Sequence, residues 1–274
     1  MLRKRWLLAG LLVVPTIAWT AVKPSNERDW TPDNARLAWA EFRGDSVVVH
    51  NVRNAHYTTQ HEYTVVWEDR VYDLRRLRSV WFGVEPFERD WRGPAHTFVS
   101  FGFDDGRYLA ASVEIRKERG ESFSPLKGVL RRFELIYVLG DERDVVKLRT
   151  NYRDDDVYLY PVRATPEQRR EMFVEVLQRA NRLREKPEFY NTIFNNCTTN
   201  LARHVNRISP GRVPFSYRLV LPGYADELAL RLGILDTDLP IEQARKRFHI
   251  NAQAVKYADD PEFSLRIRTP EPEL

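Results

Sequence analysis

The chain has 274 residues, 43% hydrophobic, 12% aromatic and 30% charged, with a net charge of +4. Basic and acidic residues are mixed along its whole length, which excludes the clustered basic footprint of a nucleic-acid binder. The single cysteine, Cys197, excludes an internal disulfide; no Cys or His cluster has zinc spacing and no glycine-rich phosphate loop is present, so neither metal nor cofactor is expected.

Met1-Leu-Arg-Lys-Arg5 opens the chain, followed by an apolar run over residues 6–22 broken by Pro15, Thr16 and Thr20. A basic flank before an apolar run is the start of a signal peptide or a signal anchor. The run lies at the short end of the roughly 17–25 residues a membrane span needs. A removed signal and an uncleaved anchor both fit, and either sends the remainder across the membrane. Residues 23–36 are polar and read as a linker, residues 37–258 as one domain, and the charged, Pro-containing residues 259–274 as a loosely held tail.

Within the domain, β-branched and aromatic runs predict strands near residues 35–42, 46–52, 63–68 and 77–84. His96-Thr-Phe-Val-Ser-Phe-Gly-Phe103 and Arg107 to Arg116 alternate at period two around Asp104-Asp105-Gly106, which predicts a β-hairpin. A second strand pair is predicted over Phe133–Leu139 and Val145–Arg149, and a further strand over Asp156–Val162. The pattern then turns helical. Thr165-Pro-Glu-Gln168 has the form of a capping box with proline at the first position, and Met172, Phe173, Val176, Leu177, Ala180 and Leu183 make one stripe. Further helices are predicted from Cys197 to Ile208 and over Ala225–Leu232. Strands followed by helices predict an α+β fold, an antiparallel sheet with helices packed on one side.

Cys197 follows Phe189-Tyr-Asn-Thr-Ile-Phe-Asn-Asn196 and precedes an apolar pattern at helical spacing. A thiol at a helix N-terminus is held toward its thiolate form. Its use as a nucleophile needs a base, and the base needs an orienting group. Of the six histidines, His96 opens a strand just after Gly93-Pro94. With a three-residue turn, Phe103 pairs with Arg107, and the ladder carried outward puts His96 opposite Glu114, within about 5 Å between Cβ atoms. Cys197, His96 and Glu114 form the candidate catalytic group. Ser112 is a second orienting candidate on the same strand face. Asn195 and Asn196 are candidates either for donating to an oxyanion or for capping the helix. His204 lies about 10 Å up the helix axis from Cys197 and reads as structural; His50, His56 and His61 sit in a basic aromatic stretch that nothing selects.

The blocks His96 to Phe103, Ser112-Val-Glu-Ile-Arg-Lys-Glu-Arg-Gly-Glu121 and Phe189-Tyr-Asn through Asn195-Asn-Cys-Thr-Thr-Asn200 together resemble the N-terminal periplasmic domain of Lnb-type lipoprotein N-acyltransferases. The resemblance covers roughly residues 30–250. It implies a circularly permuted, papain-like (NlpC-type) fold, in which the histidine precedes the cysteine, with Cys197 as nucleophile and His96 as base. It further implies a periplasmic enzyme tethered to the inner membrane by its N-terminal segment, acting on a phospholipid and a lipoprotein. A cell-wall peptide amidase or peptidase acting on peptidoglycan, and a non-catalytic periplasmic binding domain, are the alternatives. Full Lnb enzymes carry further hydrophobic segments after this domain; no apolar run after Val22 approaches a span here, so the lipid-handling part is expected to be missing or supplied by another protein.

Overall fold

The computed structural model describes residues 22–269. The predicted leader, apart from Val22, and residues 270–274 of the predicted tail lie outside them. Among the described residues eight strands form one open sheet: β1 (Trp39–Arg43), β2 (Ser46–Tyr57), β3 (Tyr63–Asp73), β4 (Leu77–Pro86), β5 (Ala95–Phe103), β6 (Tyr108–Arg116), β7 (Glu134–Gly140) and β8 (Tyr158–Pro161). Their order is β1-β2-β7-β6-β5-β4-β8, with β3 also paired to β2. Every pairing is antiparallel except the contact of Arg53 in β2 with Gly140 in β7. The helices are α1 (Pro125–Val129), α2 (Glu142–Lys147), α3 (Pro166–Glu185), α4 (Cys197–Ile208), α5 (Ala225–Arg231), α6 (Ile241–Phe248), α7 (Asn251–Lys256) and α8 (Phe263–Arg266).

The protein is therefore mixed α+β with a mostly antiparallel sheet, but its helices cover both faces rather than one. Alternation along the strands divides the core. Val99 and Phe101 of β5 pack with Met172, Phe173, Val176 and Leu177 of α3 and Leu201 of α4. Phe98, one residue away and facing oppositely, packs with Val145 and Val146 of α2, Ile250, Ala254 of α7 and Phe263 of α8. The second face is covered by two returns of the chain that the strands-then-helices reading did not anticipate. Among the described residues no helix is long and apolar enough to cross a membrane.

The first of those returns corrects a predicted strand. Val145–Arg149 reads as β-branched, yet Asp141 caps α2, its carboxylate accepting from Arg143 N–H, with Glu142 and Asp144 in the first turn where the helix dipole favours acids. The helix then loosens into a wider turn over Leu148–Tyr152 that carries Arg149. The segment read as a linker is also packed: Trp30 is buried, its indole N–H donates to the Asn26 carbonyl at 2.9 Å, and the Arg116 guanidinium lies 4.1 Å over its ring. Likewise Phe263 and Ile267, in the segment read as a tail, are buried.

The elements that position the site follow from their local signals. β5 is buried along its entire length, as a central strand must be. Its hairpin with β6 closes through Asp104-Asp105-Gly106, with Gly106 at φ +81°, and the ladder runs from Gly102↔Tyr108 to Phe98↔Ser112. That is the register a three-residue turn requires. The Thr165–Gln168 capping box starts α3, with both of its side-chain bonds formed.

Candidate active site

α4 starts at Cys197 because Asn196 caps it. The Asn196 side-chain Oδ1 accepts from Thr199 N–H at 2.8 Å, and Thr199 Oγ1 accepts from Asn196 N–H at 2.9 Å. The thiol thus occupies the first position of a 12-residue helix, at the positive end of its dipole. Cys197 is buried, with its Sγ 3.7 Å from Thr198 Oγ1, and His96 and Thr97 of β5 act on its charge. Burial alone would push the thiol pKa up, but His96 and Thr97 outweigh it and hold the thiol at about 7. Thr97 Oγ1 meets Thr198 Oγ1 at 3.0 Å, joining the strand to the helix beside the thiol.

Behind His96 lies a row of hydrogen bonds. His96 Nε2 is 2.7 Å from Ser112 Oγ, and Ser112 Oγ donates to Glu114 Oε1 at 2.6 Å. A hydroxyl has one proton. If Ser112 gives it to Glu114, Ser112 must accept from His96, so Nε2 carries the imidazole proton. That leaves the Nδ1 lone pair for the thiol. His96 and Glu114, read from the hairpin register as direct partners, are thus linked through Ser112, which slots diagonally between them.

The charge that anchors this row comes from a residue not foreseen in the sequence. Arg149 donates from Nη2 to Glu114 Oε1 at 2.9 Å and from Nε to Glu85 Oε2 at 2.6 Å. Glu85 is the β4 residue paired with His96. Burial raises the proton affinity of both carboxylates, but Arg149 overrides it and holds each below the ordinary range, with His96 adding to the effect. Asp155 shows the opposite outcome: burial and the nearby Glu85 charge push it up to about 7. Glu85 gave no sequence signal beyond a strand-end acid, and Arg149 was hidden by the strand reading of its segment.

Asn195 and Asn196 both donate their side-chain amide N–H groups to main-chain carbonyls. Asn195 Nδ2 donates to the Phe189 carbonyl at 2.8 Å, and its oxygen accepts from Arg203 at 2.8 Å and Asn200 at 3.1 Å. Asn196 Nδ2 donates to the carbonyls of Thr192 at 2.8 Å and Leu219 at 2.9 Å. The main-chain N–H groups of Cys197 and Thr198 occupy the helix start, where N–H groups have no intrahelical partner. Tyr190 stands close enough to the thiol that burial and a charge on Cys197 both raise its phenol pKa, keeping it neutral.

The other histidines are engaged elsewhere. His204 Nε2 meets the Tyr137 hydroxyl at 2.7 Å, His50 stacks on Trp39 and bonds Asp69, and His249 bonds Asp156 at 3.1 Å. His56 and His61 are exposed. Among the described residues no group of His, Cys, Asp and Glu is arranged to hold a metal ion.

A buried thiol at a helix start, a strand histidine with a fixed tautomer, and an anchored carboxylate behind it can together deprotonate the thiol and reprotonate a leaving group. No curated protein and no solved structure matches the chain. The family model described as the Lnb N-terminal periplasmic domain matches residues 63–223, more than half of the chain, which makes this a periplasmic, Lnb-like protein. The chain belongs to the Lnb N-terminal periplasmic domain family.

Proposed function

We propose that the protein is a thiol-dependent acyltransferase with Cys197 as nucleophile and His96 as base. The observation that carries this reading is the hydrogen-bonded row from His96 through Ser112 to Glu114, set beside a buried helix-start thiol that His96 draws toward its thiolate. His96 takes the thiol proton, and the thiolate attacks an ester carbonyl. The main-chain N–H groups of Cys197 and Thr198 receive the oxyanion. The C–O bond breaks, the departing alcohol takes the proton from His96, and a thioester remains on Cys197. An amine then attacks the thioester, gives its proton to His96, and leaves as an amide while the thiol is restored. The histidine strand preceding the cysteine helix supports a circularly permuted, papain-like (NlpC-type) arrangement.

A lipid donor is favoured by the surface around the site. Four segments converge beside Cys197 and His96: the Phe87 and Phe123 rings lie 6.2 Å apart, Thr192 Oγ1 donates to the Pro125 carbonyl, and Gly223 N–H donates to the Gly93 carbonyl. These segments expose Phe87, Trp91, Phe123, Leu126, Phe194 and Phe215, each at least 41% accessible. A wall peptide calls for polar groove walls, whereas exposed aromatic groups suit the bilayer interface. The donor is then a phospholipid and the acceptor a lipoprotein amine, with the N-terminal segment tethering the enzyme to the inner membrane.

The test is to incubate the full chain with a phospholipid carrying a labelled acyl chain and to look for a hydroxylamine-sensitive adduct on the Cys197 peptide. The adduct is expected in the wild type and absent in Cys197→Ala, with a rate at least ~100-fold lower in His96→Ala. No adduct, together with cleavage of wall peptides, would replace this reading with an amidase; neither activity would leave a binding domain.

A further inference from the structure

A separate cavity of about 510 Å³ lies between α3, α4, α5 and the sheet. That is within the roughly 300–1,000 Å³ typical of small-molecule sites. Its deep wall is apolar, with Val99, Leu201, Ala202 and Leu228 among its lining. Thr198 closes that wall next to the active site, its hydroxyl 3.7 Å from Cys197 Sγ.

The mouth is different. Arg163, Arg169 and Arg212 stand there. Arg163 is neutralised by Asp236 at 3.1 Å and Asp238 at 3.3 Å. Arg169 and Arg212 have no carboxylate within ion-pair distance among the described residues. Each is held by one carbonyl instead, Arg169 Nη1 by Ala164 at 3.1 Å and Arg212 Nη2 by Leu232. Arg169 Nε is buried with no hydrogen-bond partner, and Glu167 interacts with this guanidinium only at longer range. Guanidinium groups fixed in place with spare N–H donors are suited to a carboxylate or a phosphate. Cations are not needed to line an apolar cavity, and two of them left unpaired at one rim call for an anion.

We infer that this cavity binds a single-chain amphiphile with an anionic head, the head resting on Arg169 and Arg212 and the chain running inward toward Thr198. The head is a carboxylate, as in a free fatty acid, or a phosphate, as in a lysophospholipid. The inference does not depend on Cys197 being a nucleophile. With the Thr97–Thr198 hydroxyl pair between the chain end and the thiol, occupancy of the cavity presses on the wall of the active site.

The experiment uses the full chain carrying Cys197→Ala, so that no covalent acyl adduct competes. A fatty acid with a diazirine near its chain end is photolysed with the protein and the labelled peptides are mapped. Label is expected on the α4 and α5 peptides. Laurate, lysophosphatidylglycerol or both should displace it, and which does so identifies the head; dodecanol, with the same chain as laurate and no charge, should be at least ~10-fold weaker. Arg169→Gln with Arg212→Gln should erase the preference for the charged competitors, and Ala229→Phe or Ala202→Ile, which fill the cavity, should cut labelling at least ~10-fold. Label confined to other segments, or equal competition by laurate and dodecanol, would overturn the inference. Both readouts are taken on a chain with the cavity intact, so they decide even if neither filling variant folds.

Discussion

Arg149→Met removes the cation that holds the site's two inner carboxylates while nearly preserving side-chain volume. Arg149 is 3% exposed and Glu85 is fully buried, with 2.6 Å between Nε and Oε2; Glu114, 2.9 Å from Nη2, is 21% exposed. Arg153, 3.5 Å from Glu85, is the nearest cation left to it. Breaking one buried pair by deleting a partner costs about 3–5 kcal/mol. For a domain of this size that is a fall in Tm of roughly 6–20 °C at pH 7.5. The pH dependence follows from the sign of the shifts. Arg149 holds both carboxylates below the ordinary range, so the stability they supply is complete above about pH 4.3 and is lost as pH falls through their folded values. In the variant only weaker neighbours such as His96 oppose burial, and the carboxylates take up protons at higher pH than in the wild type. The gap between wild type and Arg149→Met should therefore narrow from pH 7.5 to pH 5. Thermal melts of both proteins at the two pH values measure it. A gap below about 1 kcal/mol, or one equal at both pH values, would refute the buried-pair account.

Three further outcomes are expected. Ser112→Ala removes the acceptor that fixes the His96 tautomer; thioester formation should slow by about 10–100-fold with little change in Tm, and restoration by Ser112→Thr would separate the hydroxyl's role from packing. Asp155 is raised to about 7, so the folded state holds a proton that the unfolded state releases, and this stabilisation is lost as pH rises from about 4 through 7; Asp155→Asn should raise Tm at pH 8 more than at pH 5, and melts at the two pH values read the difference. Gly223→Ala would place a Cβ 1.2 Å from the Arg92 carbonyl oxygen, forcing apart two of the loops around the site; a loss of about 1–3 kcal/mol in urea titration and faster proteolysis near Arg92 are expected.

What could be read from the sequence was whatever had a local cause. The Thr165–Gln168 box, the Asp104-Asp105-Gly106 turn and the polar run before Cys197 each act within a few residues, so α3, the β5–β6 hairpin and the start of α4 are legible. The turn length even carries the register that puts His96, Ser112 and Glu114 on one face. Arg149 was not legible because Val145 and Val146 favour a strand by composition, while the Asp141 cap decides for a helix. Glu85 looks like any acid at a strand end until β4 pairs it with His96. The cavity draws its lining from Val80 to Ile234, and no local pattern brings such residues together. Helices on both faces depended on Ile250 and Phe263 returning to Phe98, a contact between residues far apart in the chain.

The central claim is that His96 holds the Cys197 thiol in reach of its thiolate. The rate of Cys197 alkylation by iodoacetamide against pH, in wild type and His96→Ala, tests it most directly. His96 and Thr97 together oppose burial and hold the thiol at about 7. The wild-type profile should therefore have its midpoint near pH 7, and the His96→Ala profile should move up toward the ordinary thiol value of about 8.5, because only Thr97 then opposes burial. Coincident profiles, or a wild-type thiol that stays inert up to pH 9, would contradict the account.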